Sequence, residues 1–160
     1  MRHSWRALLV GLSLLSPEWL PSAPSATPQQ PAAIAFANEA TSRALNYDQG
    51  NAESLMDAQN DFTPEAWREF MKWLNGYVTD QGAPTGSSLF TATGDAVVKG
   101  QENNLVRLTI PGTLKQQSKN SFGGVSTTTY IVTVDIDLGG NPFKIQRLKA
   151  RTCGAKPCAD

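Results

Sequence analysis

Cys153 and Cys158, in the run CGAKPC, are the only two cysteines in this 160-residue chain. Thiols can pair, bind a metal or carry redox chemistry, and spacing separates these roles. Four residues lie between the two cysteines, which is not the two-residue spacing of a redox pair, and two thiolates fill only half of a tetrahedral zinc shell. In an oxidising compartment the pair reads as a local disulfide clip. A loop this short contributes only about 2 kcal/mol by chain entropy. The single histidine, His3, stands in a segment read below as a leader. A processed chain therefore has no imidazole for Ser-His-Asp or Cys-His catalysis, for zinc, or for a pH switch. No GxxxxGK[ST] run is present to cradle a phosphate. Two carboxylate pairs remain, Asp135 with Asp137 and Asp57 with Asp61. Neither pair alone approaches the ~6–8 oxygens that calcium takes, and both read as solvated surface. Tyr47, Tyr77 and Tyr130 would line a cavity if the fold carries one, but each also falls at a core position of its own element. No catalytic, cofactor or metal residue is assigned, and the site residues are the disulfide pair Cys153 and Cys158.

The N-terminus points to export. Arg2, His3 and Arg6 precede the apolar run Ala7 to Leu15, which Pro17 and Glu18 end. That run is shorter than the ~18 residues a membrane-spanning helix needs and has the form of a signal segment. Small-x-small cleavage sites stand at Ala23-Pro24-Ser25 and Ala35-Phe36-Ala37, and the earlier leaves Phe36 to the helix that follows. Residues 1–25 are thus a signal peptide or short membrane leader. The proline-rich stretch Pro21 to Pro31 cannot bury apolar surface, and 26–31 is read as an extended linker. Residues 32–152 form one domain, and 153–160 a tail clipped by the disulfide. Without Arg2, Arg6 and Glu18, fourteen residues of each sign become twelve basic and thirteen acidic. No run of like charge appears, so neither nucleic acid nor an anionic membrane is an expected partner.

Three helices are predicted from apolar spacing. The first covers about Ala32 to Asp48, with Phe36, Ala40, Ala44 and Tyr47 inward. The second covers about Ala52 to Gln59, with Leu55 and Met56 inward. The third opens at Thr63 as N-cap, with Pro64 at the first helical position and Glu65 facing the positive dipole end. It carries the core stripe Trp67, Phe70, Met71, Leu74 and Tyr77, and Asn75-Gly76 is its predicted stop. From Gly86 the period becomes two. One strand is expected over Gly86 to Lys99, with Leu89, Thr91, Thr93 and Val97 on one face. The next has Val106, Leu108, Ile110, Gly112 and Leu114, with Pro111 at a bulge or an edge. After a turn at Asn120 to Gly124, Tyr130, Val132, Val134, Ile136 and Leu138 alternate. After a turn at Gly139 to Pro142, Phe143, Ile145, Leu148 and Ala150 complete a fourth strand with one slip of register. Helices first and hairpin-linked strands afterwards give an α+β fold: N-terminal helices on a curved four-stranded antiparallel sheet, a cystatin-like or nuclear transport factor 2-like cone.

Asn46-Tyr47-Asp48, Leu55, Asp57-Ala58 and the block Phe62-Thr63-Pro64-Glu65-Ala66-Trp67, with Phe70 and Leu74, resemble the IcmL/DotI/TraM family of type IVB secretion and conjugation components. Ala66 stands where the family pattern has glycine. TTTYIVTVDIDL and NPFKIQRLKA look like the family's later strands, so the resemblance spans about Phe36 to Ala150. It implies a periplasmic, non-enzymatic scaffold domain without a cofactor. The implied partners are other secretion, conjugation or envelope proteins, with self-association expected and membrane contact only through an uncleaved leader. The alternative is a periplasmic small-molecule binder or isomerase using the cavity of the cone.

Overall fold

The computed structural model describes residues 29–48, 53–80, 86–118 and 124–153. The leader, residues 26–28 of the expected linker, most of the expected turn at Asn120 to Gly124, and Cys158 lie outside them. Helices α1 (Gln30–Leu45), α2 (Glu53–Gln59) and α3 (Pro64–Asp80) precede strands β1 (Gly86–Ala92), β2 (Val97–Glu102), β3 (Leu105–Ser118), β4 (Val125–Asp137) and β5 (Lys144–Thr152). All pairings between strands are antiparallel. The order is β1-β3-β4-β5, with β2 also on β3. This is the α+β architecture read from the sequence, with five strands rather than four.

The additional strand comes from a break in the segment expected as one. β1 and β2 share the same side of β3, and the chain leaves the sheet between Ala92 and Val97. Pro111 sits opposite that break. Its carbonyl accepts from the Thr93 N–H at 2.9 Å, so its missing N–H falls where neither β1 nor β2 has a ladder partner. The β3–β4 pairing runs through Pro111 without interruption, and no bulge is needed. The face assigned to β1 is also reversed. Leu89 and Val97 are exposed, whereas Ser88 and Phe90 are buried.

The α1 helix packs on β1, β3 and β4 through Ala33, Ala37, Ala40 and Ala44, all fully buried. Their small side chains let the helix lie close to the sheet. Phe36 is half-buried instead, set edge-on to Phe143 with ring centroids 5.9 Å apart. The helix stops at Leu45 because the next residues bond to β1. The Leu45 carbonyl accepts from the Ser88 hydroxyl, Asn46 Oδ1 from the Phe90 N–H, and the Tyr47 carbonyl from the Ser88 N–H.

The start of α3 follows its sequence. Thr63 Oγ1 accepts from the Ala66 N–H at 3.3 Å, the N-cap bond. The same segment is joined to β5. Thr63 N–H donates to the Ile145 carbonyl, and Ile145 N–H donates to that of Asp61. The helix then passes through Asn75-Gly76 to Asp80. Such a pair disfavours helix by only about 1 kcal/mol and does not have to end it. Phe70 is the centre of an aromatic group with Phe62, Trp67 and Trp73. Phe70 is 1% exposed, while Trp67 is half-buried at the group's edge.

The β3 and β4 alternation is as read. Val106, Leu108, Ile110 and Leu114 face Tyr130, Val132, Val134, Ile136 and Leu138 in one core. The predicted slip in β5 is also present. The register shifts between Asp135 and Ile136, so Ile145 and Leu148 both turn inward. Gly112 stands where a Cβ would lie 2.3 Å from the Phe90 ring, so Gly112→Ala is expected to lower stability by about 1–3 kcal/mol through overpacking. Phe70→Ala is expected to cost about 3–5 kcal/mol, and Trp67→Ala less. Urea unfolding of the three variants against the parent checks that order.

Candidate interaction surface

Alternation gives the sheet a second face. Its residues fall in cross-strand rows: Arg107, Asp135 and Arg147 in one, Thr109, Thr133 and Lys149 in the next, then Pro111, Ile131 and Arg151. Lys99, at the register shift of β2, joins them. The result is a shallow trough of about 380 Å³ lined by five cations, Thr109, Ile131 and Thr133. Successive outward residues on a strand lie ~6.8 Å apart, so Arg147, Lys149 and Arg151 form a regular column.

Asp135 lies in the first of these rows, and it is not the solvated carboxylate that alternation suggested. It is 2% exposed. Arg107 grips it with two hydrogen bonds, Nε to Oδ1 at 2.7 Å and Nη2 to Oδ2 at 2.8 Å. Arg147 Nε lies 3.6 Å from Oδ2 on the other side. Both arginine side chains remain about half-exposed. Their stems cover the carboxylate while their heads keep contact with water. The bond to Asp135 raises the Arg107 pKa further above its ordinary value, keeping that guanidinium charged.

The other sequence-singled residues separate. Asp137 Oδ1 accepts from the Gly139 N–H in the β4–β5 turn. Asp57 is exposed, but Asp61 is not solvated surface, because it accepts from Arg43 Nε at 2.8 Å. Among the described residues, no three His, Cys, Asp or Glu side chains come together as a metal site. Tyr130 is 2% exposed and belongs with Phe70 to the core cluster. Tyr47 is buried too, but in the segment after α1 rather than in that helix. The side chain of Tyr77 lies outside the described set. Cys153 directly follows β5 and donates its N–H to the Thr129 carbonyl, while Cys158 is outside the described residues. A second groove, of about 530 Å³, runs between Glu65, Glu69 and Trp73 of α3 and residues 146–150.

The architecture has solved counterparts among type IV secretion proteins. An IcmL-like type IV secretion system protein from Legionella pneumophila superposes with a TM-score of 0.69 at 13% identity, over 84% of this chain and 100% of that one. The periplasmic domain of DotI gives 0.66 at 20% identity, over 81% and 99%. CagV, a VirB8 homolog from Helicobacter pylori, gives 0.55 at 17% identity, over 74% and 98%. This is the fold the resemblance implied. At these identities the likeness is one of fold, and no protein-family profile or curated sequence matches the chain. No helix among the described residues is long and apolar enough to cross a membrane.

The two arginines hold Asp135 unequally, which gives an expected order. Arg107→Ala removes two short bonds from a buried carboxylate and is expected to lower the urea midpoint clearly more than Arg147→Ala, which removes one long contact. A double-mutant cycle of Arg107→Ala with Asp135→Asn should show strong coupling, and the Arg147 cycle little.

Proposed function

We propose that this chain is a periplasmic, non-enzymatic assembly domain that works by protein–protein contact in a type IV secretion or conjugation apparatus. The observation that carries the reading is the fold, matched over nearly the whole length of IcmL-like and DotI structures. Burial of Phe70 and Tyr130 in the interior supports it further, since a cone that turns over a substrate needs space and a polar group at its floor. The outer face of the sheet, with ordered arginines around Asp135, is the surface offered to partners. The export segment delivers the domain to the periplasm, where Cys153 and Cys158 close a disulfide clip after β5.

Crosslinking in intact cells, followed by affinity purification and mass spectrometry, tests the assembly role. Recovery of inner-membrane or channel components of a type IV system is the expected result. Recovery of the protein alone, soluble and monomeric, would overturn it. The clip has its own test. Both thiols should resist alkylation until reduced, and Cys153→Ser should cost about 2 kcal/mol or less.

A further inference from the structure

The edge of a sheet presents a row of backbone N–H and C=O groups without partners, and proteins commonly cover or deform it. Here the outer edge of β1 is taken by the segment after α1, through the Ser88 N–H to the Tyr47 carbonyl and the Asp48↔Ser87 bridge. β2 carries a register shift between Val98 and Gly100. The outer edge of β5 changes along its length. At its start the segment from Asp61 to Thr63 bonds both the N–H and the carbonyl of Ile145. Past the register shift it is open.

Alternation identifies the open groups. Cys153 donates its N–H to the Thr129 carbonyl, so Arg151, Lys149 and Arg147, at steps of two along the register with β4, turn their N–H and C=O groups to that strand. Leu148, Ala150 and Thr152 turn theirs the other way. No hydrogen bond among the described residues meets them there. The groove of about 530 Å³ runs beside this edge, with Ala66, Glu69 and Trp73 of α3 as its far wall. The helix therefore stands off from the edge, where an added strand would lie ~4.8 Å from β5.

The walls define the chemistry of such a strand. Paired antiparallel, it continues the sheet, and its side chains alternate as those of β5 do. On the inner side they meet Leu148, Ala150, Ala66 and the half-buried Trp73, which suits apolar residues. On the outer side they stand opposite Lys149 and Arg151, in the non-hydrogen-bonded pairs where side chains come closest. Both cations are exposed, and neither has an ion-pair partner among the described residues. Glu65 and Glu69 across the groove are matched by Arg68 and Lys72 of their own helix. A second β5 is a poor occupant, because cations would face cations. The chain's own 21–31 run is no better, since it has no acidic residue and Pro21, Pro24, Pro28 and Pro31 have no N–H to donate. We propose that the open edge of β5, from Leu148 to Thr152, takes up an extended segment of another protein as an added strand, one in which acidic and apolar residues alternate. The proposal rests on the assembly reading above and names the chemistry of one partner.

Two measurements on the full chain test this. In the free chain, amide hydrogen exchange followed by NMR should find Leu148, Ala150 and Thr152 exchanging at least about tenfold faster than Lys149 and Arg151. A fluorescein-labelled peptide EVEVEVE, titrated by fluorescence polarisation, should bind and slow the exchange of those edge amides. N-methylation of the peptide's valines leaves its charge intact and should weaken binding at least about tenfold. Ala150→Pro should do the same, because it removes an outward N–H at an edge position where proline is tolerated. Lys149→Glu with Arg151→Glu should transfer the preference to the peptide KVKVKVK, with unchanged melting temperatures confirming that the variants fold. Edge amides already protected in the free chain overturn the proposal, since the chain's own tail or a second copy then covers them. A peptide that does not bind, that binds equally after N-methylation, or that is matched by KVKVKVK on the parent chain overturns it as well. None of these results bears on which envelope proteins the cellular crosslinking recovers, so the two readings fail separately.

Discussion

The β3–β4 register is the constraint on which the rest of this structure depends. The two strands align over thirteen residue pairs, from Leu105↔Asp137 to Gln117↔Val125. Side chains alternate along a strand, so the alignment that sends Val106, Leu108, Val134 and Ile136 inward must send Arg107, Thr133 and Asp135 outward. A slip of one residue in either strand would turn its valines and isoleucines to water and drive its charges into the core. Core packing therefore fixes the positions of the outer charges as firmly as it fixes the core itself. The bulge opposite Asp135 extends the same control to β5, placing Arg147 beside the carboxylate while both Ile145 and Leu148 stay buried.

The Asp135 network is better understood as positioning than as stabilisation. A buried carboxylate loses much of its hydration, and pairing with cations commonly does little more than offset that loss. Arg107, held by two parallel bonds, nevertheless gives up rotamer freedom in the folded state. A partner that contacts it has less ordering left to impose, which favours association without new contact area. A lysine at the same place would deliver charge without the planar fork and would leave the second carboxylate oxygen to others.

Where the governing interactions are local, the sequence was a sound guide. The Thr63–Pro64–Glu65 helix start, the β3 and β4 alternation and the slip in β5 are all present. Readings failed where the deciding contact lies far along the chain. The α1 helix ends early because Ser88 and Phe90 capture its last residues. Its Ala33–Ala37–Ala40–Ala44 stripe obeys the helical period, and Ala40 and Ala44 are inward as read, but the reading set the large Phe36 beside them, whereas close approach to the sheet selects small residues. Asp135 lies 28 residues from Arg107 and 12 from Arg147, so its burial has no local signature. The same holds for the trough, assembled from four strands with no run of like charge. The segment Gly86 to Lys99 shows a weak period of two throughout, and only the geometry opposite Pro111 breaks it into two strands.

Neutral composition and strongly charged faces are compatible because they act at different distances. Net charge governs the field felt far from a protein, and this chain has nearly none. Contact electrostatics act within a Debye length, about 8 Å at physiological ionic strength. The helical layer and the outer sheet face stand on opposite sides of the core, separated by more than that. The charges of each are therefore barely compensated by those of the other. Counting charges along the chain excluded a basic protein, which is correct, but it could not exclude a basic face. Phe70 and Tyr130 are buried in the interior, and charge is carried by such faces. Their sign is set by the alternation of the strands, and their order by the ion pairs that hold them.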